Sequence, residues 1–147
     1  MIILSDQEMQ ALGKKIGVKL RGGEVFELIG DIGTGKTTLV KGIALGLKID
    51  DDVQSPTFTI QRSYKARDDL VVNHYDFYRL EYAGIMAQEI EESLYDPKNI
   101  LVIEWGESVK DVLPPERVII KIDYLPETGR EVTFQIPEKF AYLNEGL

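Results

Sequence analysis

The chain has 147 residues, 17 basic and 25 acidic side chains, one histidine and no cysteine, the length of one domain over residues 1–147. The cysteine count excludes disulfides, thiolate metal sites and cysteine nucleophiles, and a lone histidine excludes a His-cluster metal site. Residues 1–73 carry 10 basic and 10 acidic side chains, so the whole net charge of −8 falls in residues 74–147. A freestanding nucleic-acid binder needs a basic stripe, and this balance argues against unaided binding of tRNA or DNA. No apolar run approaches the roughly 18 residues of a membrane span, and no basic segment precedes an apolar one at the N-terminus. These features predict no membrane association and a cytoplasmic location.

In chain order, Ser5-Asp6-Gln7-Glu8 has capping-box spacing, and Met9, Leu12, Ile16 and Leu20 recur at helical intervals, predicting an amphipathic helix over about 6–19. Val25 to Ile29 reads as a strand that runs into a glycine-rich loop. After the loop, Leu39, Val40, Ile43, Ala44 and Leu47 share a helical face. Thr57 to Lys65 and Leu70 to Asp76 are β-rich runs with a connection too short for a parallel crossover, which predicts an antiparallel hairpin. Ile85 to Leu94 is weakly helical and acidic, and Ile100 to Ile103 is an apolar run suited to a strand buried on both faces. Beyond Pro114-Pro115, Val118 to Tyr124 and Glu131 to Ile136 predict a last hairpin around residues 126–129. The sum is an α/β fold with a mixed sheet.

The glycine-rich loop carries the chemistry. Gly30-Asp31-Ile32-Gly33-Thr34-Gly35-Lys36-Thr37 fits G-x-x-x-x-G-K-[ST] between a predicted strand and a predicted helix. Glycines let successive N–H groups turn toward phosphate oxygens, and the helix start adds a positive dipole. Lys36 supplies a point charge for the β- and γ-phosphates, and the Thr37 hydroxyl is placed to ligate Mg²⁺. The motif therefore predicts a nucleoside triphosphate with Mg²⁺, held by residues 31–38 (Asp31, Ile32, Gly33, Thr34, Gly35, Lys36, Thr37 and Thr38).

Hydrolysis needs an acid near the metal and a group that orients water. Two predicted strands end in acids, Asp76 and Glu104, and ligands of parallel α/β sheets gather at carboxyl ends of strands. Asp76 suits the Mg²⁺ shell, and Glu104 suits a general base. In Ser55-Pro56-Thr57-Phe58, Thr57 is either a switch threonine or part of a turn entering a strand. His74, two residues before Asp76 on the same strand face, is either a tie on Asp76 or a packed core histidine. Trp105 either covers the nucleotide or belongs to the core. Arg79 has acids within reach, and nothing in its surroundings marks it as an arginine finger.

Together the P-loop, Ser55-Pro56-Thr57-Phe58-Thr59, His74-Tyr75-Asp76-Phe77-Tyr78-Arg79-Leu80 and Ile103-Glu104-Trp105-Gly106-Glu107 resemble the TsaE (YjeE) family of bacterial ATPases. Two positions depart from the family pattern. Thr34 stands where alanine is usual, and Ile85 to Leu94 is a poor match to a Glu/Leu-rich helix. The resemblance implies a P-loop NTPase-like three-layer fold and an ATPase that acts in installing threonylcarbamoyl on the adenosine next to the anticodon. It implies protein partners, the threonylcarbamoyl transferase (TsaD) and its non-catalytic companion (TsaB), whose complex is reset by ATP hydrolysis. Carried over by position, Lys36, Thr57 and Glu104 become catalytic, Thr37, Asp76 and Glu104 metal-binding, and Trp105 part of the nucleotide site. Two other activities fit the P-loop: a small kinase acting on a hydroxyl acceptor, and a nucleotide-gated binding module.

Overall fold

The computed structural model describes residues 1–80 and 84–147. Its elements are β1 (Ile2–Ile3), α1 (Asp6–Gly17), β2 (Val25–Ile29), α2 (Lys36–Gly46), β3 (Gln61–Lys65), β4 (Val71–Asp76), α3 (Ile85–Ser93), β5 (Asn99–Glu104), β6 (Val118–Tyr124) and β7 (Arg130–Gln135). Seven strands form one sheet in the order β1-β7-β6-β2-β5-β4-β3. The four central strands β6, β2, β5 and β4 are parallel, and the edges are closed by antiparallel pairs. This is the mixed α/β sheet flanked by helices that the residues predict.

Each face of the sheet has its own core. On one face α1 and α2 pack with Phe26, Leu28, Val102 and Ile120. On the other, Ile90 of α3 packs with Val25, Tyr75, Phe77 and Ile103. The helices α1 and α2 approach so closely that a Cβ on Gly13 would lie 2.3 Å from the Leu39 carbonyl oxygen. The N-terminal cap is as predicted, with the Ser5 hydroxyl accepting from the Glu8 N–H at 3.1 Å. Among the described residues no helix is long and apolar enough to cross a membrane.

The structure corrects one boundary. The run from Thr57 does not enter the sheet until Gln61, because a turn closes first: the Ile60 N–H donates to the Pro56 carbonyl, and Ile60 has φ 69°. The hairpin of β3 and β4 is otherwise antiparallel as predicted. Among the described elements without a signal in the sequence, two add to the sheet edge and the core. One is the two-residue β1, paired with β7. The other is a 3-10 segment, Glu138–Asn144, whose Phe140 and Leu143 are buried against the α1–α2 face.

The topology places three chain segments at one edge. Because β2 lies beside β5, and β5 beside β4, all parallel, the loop after β2 emerges next to the last residues of the other two. In register, Leu28 pairs with Glu104, and Glu104 pairs with Asp76.

Candidate nucleotide site

The P-loop turns between β2 and α2 through two left-handed glycines, Gly33 at φ 81° and Gly35 at φ 108°, conformations that L side chains rarely adopt. Its carbonyls are tied down by donors from the protein. Lys36 Nζ donates to the carbonyls of Gly30 at 2.5 Å and Asp31 at 3.0 Å. The Tyr124 hydroxyl donates to the Ile32 carbonyl at 2.9 Å, and Arg130 Nε to that of Thr34 at 3.0 Å. The Thr34 side chain, at the position where alanine is usual in the resembling family, donates its hydroxyl to the Asp31 carbonyl at 2.9 Å and is buried. The departure is absorbed inside the loop.

The helix that follows begins on Gly35, with no side-chain cap and no acidic residue in its first turn. With carbonyls engaged and first-turn N–H groups uncapped, the loop presents donors and a positive dipole to the cleft in front of it. That is an anion cradle. The cleft holds about 510 Å³ and is lined by Ile32, Gly33, Gly35, Lys36, Thr37 and Thr38 of the loop and helix, with Ser55, Thr57, Asp76, Glu104 and Trp105 facing them. Asp31 and Thr34 do not line it. Asp31 borders a second cleft of about 350 Å³ beside Glu27 and Trp105, and Thr34 is packed behind the loop.

Charge is concentrated and dry here. Lys36 is 7% exposed, Asp76 4% and Glu104 2%. Burial pushes the Lys36 ammonium below its usual pKa, opposed by the charges of Glu104, Asp76 and Asp31. The same ammonium lies 5.1 Å from the centre of the Trp105 ring, which is itself 4.8 Å from the Tyr78 ring. Trp105 thus sits at the site, in a left-handed conformation at φ 55° that turns the chain immediately after Glu104.

Asp76 is held from three directions. Its Oδ2 accepts from the Thr57 hydroxyl at 2.8 Å and the Ser55 hydroxyl at 3.5 Å, and its Oδ1 accepts the Tyr78 N–H at 2.9 Å. Thr57 therefore belongs to the site through Asp76, although it lies in a turn. Glu104 has a different partner: its Oε2 lies 2.6 Å from Nε2 of the fully buried His74. Of the two readings of His74, the tie on Asp76 is corrected. His74 and Asp76 do share a strand face, and register across β4 and β5 lets the imidazole reach the glutamate instead.

The residues present fit a nucleotide triphosphate with magnesium. Among the described residues no three His, Cys, Asp or Glu side chains gather as a self-sufficient metal site. Magnesium needs no such cage, being held by one or two carboxylates and by substrate phosphates. Sequence reasoning missed the brace formed by Tyr124 and Arg130. The guanidinium of Arg130 lies over the Tyr124 ring at 4.6 Å while both side chains hold loop carbonyls. Their approach to the loop spans some 90 residues of sequence, and no local pattern announces it.

Comparison with known proteins agrees with this geometry. Residues 3–132 match the family described as "Threonylcarbamoyl adenosine biosynthesis protein TsaE". The chain belongs to the TsaE family. A relative from Treponema pallidum, named tRNA threonylcarbamoyladenosine biosynthesis protein TsaE, is 40% identical over 133 residues, covering 88% of this chain and 94% of the relative. The Bacillus subtilis protein of the same name is 35% identical over 135 residues, covering 89% and 81%. The crystal structure of YdiB from Bacillus subtilis superposes with a TM-score of 0.79 at 30% identity, covering 97% of this chain and 88% of that one. Membership in the TsaE family agrees with the anion cradle in making this a P-loop nucleotide-binding protein.

Proposed function

We propose that this TsaE-family chain, a P-loop protein of tRNA threonylcarbamoyladenosine biosynthesis, is a magnesium-dependent ATPase that acts on the threonylcarbamoyl transferase complex and does not transfer the group itself. The observation that carries the chemistry is the side-by-side burial of Asp76 and Glu104 at the strand ends, in one cleft with Lys36. Residues 1–147 act in this reading as one ATPase domain.

On this reading the loop N–H groups and Lys36 bind the triphosphate, the lysine exchanging the Gly30 and Asp31 carbonyls for phosphate oxygens. Magnesium, held by Thr37 and Asp76 with Glu104 nearby, would offset charge on the β- and γ-phosphates. Glu104 takes a proton from water as the water oxygen attacks the γ-phosphorus. The bond from that phosphorus to the β–γ bridging oxygen breaks, and ADP and phosphate result. Thr57, tied to Asp76, carries the state of the acid into the 55–60 segment.

Two features favour activation by protein partners. Arg79 lines the cleft with its guanidinium 4.5 Å from the centre of the exposed Phe58 ring, and no arginine of the chain stands in a recognisable finger motif. A donor missing from the transition state is worth about 10³–10⁵ in rate, and a partner can supply or order it. The net charge of −8 disfavours tRNA as the direct ligand. The transferase and its non-catalytic companion are the proposed partners.

The test is phosphate release by the chain alone, with tRNA, and with the transferase complex. Stimulation by the complex but not by tRNA is expected. Equal rates in all three would reject partner activation, and stimulation by tRNA alone would reject the charge argument.

A further inference from the structure

His74 is 0% exposed in the middle of the sheet, across from Val102 on β5. Packing alone would place an apolar residue there, since burying an imidazole costs unless its polar atoms are satisfied. One nitrogen is: Nε2 lies 2.6 Å from Glu104 Oε2. The other, Nδ1, is buried and has no hydrogen-bond partner among the described residues. A carboxylate accepts, so the proton between them belongs to Nε2. Arg62 stands opposite His74 in the β3–β4 register, and its Nε–H is likewise buried without a partner among the described residues.

We infer that His74 is a positioning residue for Glu104. Its Nε2–H holds Oε2, fixes the carboxylate plane, and leaves Oε1 to receive the proton of the attacking water. The inference rests on the reading of Glu104 as the group that acts on water. A glutamate has several rotatable bonds to its carboxylate, and a misplacement of about 1 Å in a reacting group can cost about a hundredfold in rate. Losing the His74 bond should therefore slow turnover while leaving the phosphate cradle intact.

The test uses the full chain with the transferase complex present. His74→Leu should lower kcat about ten- to a hundredfold while ATP affinity, from direct titration, stays within about threefold. His74→Gln places an amide N–H near the position of Nε2 and should recover most of the loss. His74→Asn places its amide near Nδ1, short of Glu104, and should behave like the leucine variant, so the Gln–Asn pair decides even where the leucine variant does not fold. Unchanged kcat in His74→Leu or His74→Asn, affinity falling in parallel with kcat, or equal rates for Gln and Asn would each overturn the inference. Glu104→Gln separates the two levels. If that variant hydrolyses ATP like the wild type, the role of Glu104 fails and the positioning role with it. If it is inactive while the His74 variants remain active, only the positioning role fails.

Discussion

Lys36→Ala removes an ammonium that is almost wholly buried and that rests on two carbonyls of its own loop. In the unliganded protein the loss is small. Asp31 is exposed and Gly30 partly so, and water replaces the missing donor at a cost of about 1 kcal/mol or less. The melting temperature should fall by only a few degrees. Nucleotide binding is different, because the desolvation that already depresses the Lys36 pKa belongs to a charge prepared for an anion. A hydrogen bond to a charged group contributes about 1.5–3 kcal/mol. At about 1.4 kcal/mol per tenfold, MgATP affinity should fall roughly ten- to somewhat over a hundredfold. Isothermal titration of both proteins with MgATP, beside their thermal melts, measures the two effects separately. Unchanged affinity would refute the assignment of this loop to the triphosphate. A melt that falls by tens of degrees would show that the lysine is mainly structural.

Asp76→Asn keeps an oxygen for the Tyr78 N–H and removes the charge beside Thr57; the ratio of ATP affinities with magnesium and with chelator should move toward one, and an unchanged ratio would remove Asp76 from the metal site. Gly13→Ala drives a Cβ to within 2.3 Å of the Leu39 carbonyl and 2.8 Å of the Gly42 Cα, and the overpacking, about 1–3 kcal/mol or more, outweighs the roughly 1 kcal/mol gained in helix propensity, so differential scanning should show a lower melting temperature. Tyr142 has its pKa raised by burial, then by its bond to Glu24 and the Glu24 charge, against the opposing charge of Arg21. Its neutral form is thus favoured in the folded state, so its contribution to stability is complete below the usual value of 10.0 and is lost as pH rises above it. Denaturant titrations between about pH 9 and 11 should show a stability decline in the wild type that Tyr142→Phe flattens, and parallel profiles would refute the assignment.

The P-loop was legible because the residues its motif requires are neighbours in sequence: two left-handed glycines, a lysine and a hydroxyl at consecutive positions, and a strand and helix on either side. The strand-end acids were legible from the apolar runs they terminate, since a parallel sheet sends all such ends to one edge. Thr57 was only half legible. Proline predicts an extended entry into a strand, but the Pro56–Ile60 turn satisfies the backbone before the sheet begins, and the side chain reaches Asp76 from that turn. The His74–Glu104 pair and the Tyr124–Arg130 brace were not legible. Each depends on which strands become neighbours, and partners 30 and 96 residues apart leave no periodic trace. The same holds for β1 and the Glu138–Asn144 segment, which are too short to show a period and take their form from the surfaces that receive them.

Hydrolysis at this cleft is tested most directly by Glu104→Gln, with ATP affinity and single-turnover phosphate release measured on the same samples in the presence of the transferase complex. The amide keeps the shape of the side chain and loses its ability to take a proton, so binding should stay within about threefold of wild type while phosphate release falls by about 10²-fold or more. Phosphate release at the wild-type rate by a variant that binds ATP normally would contradict the account.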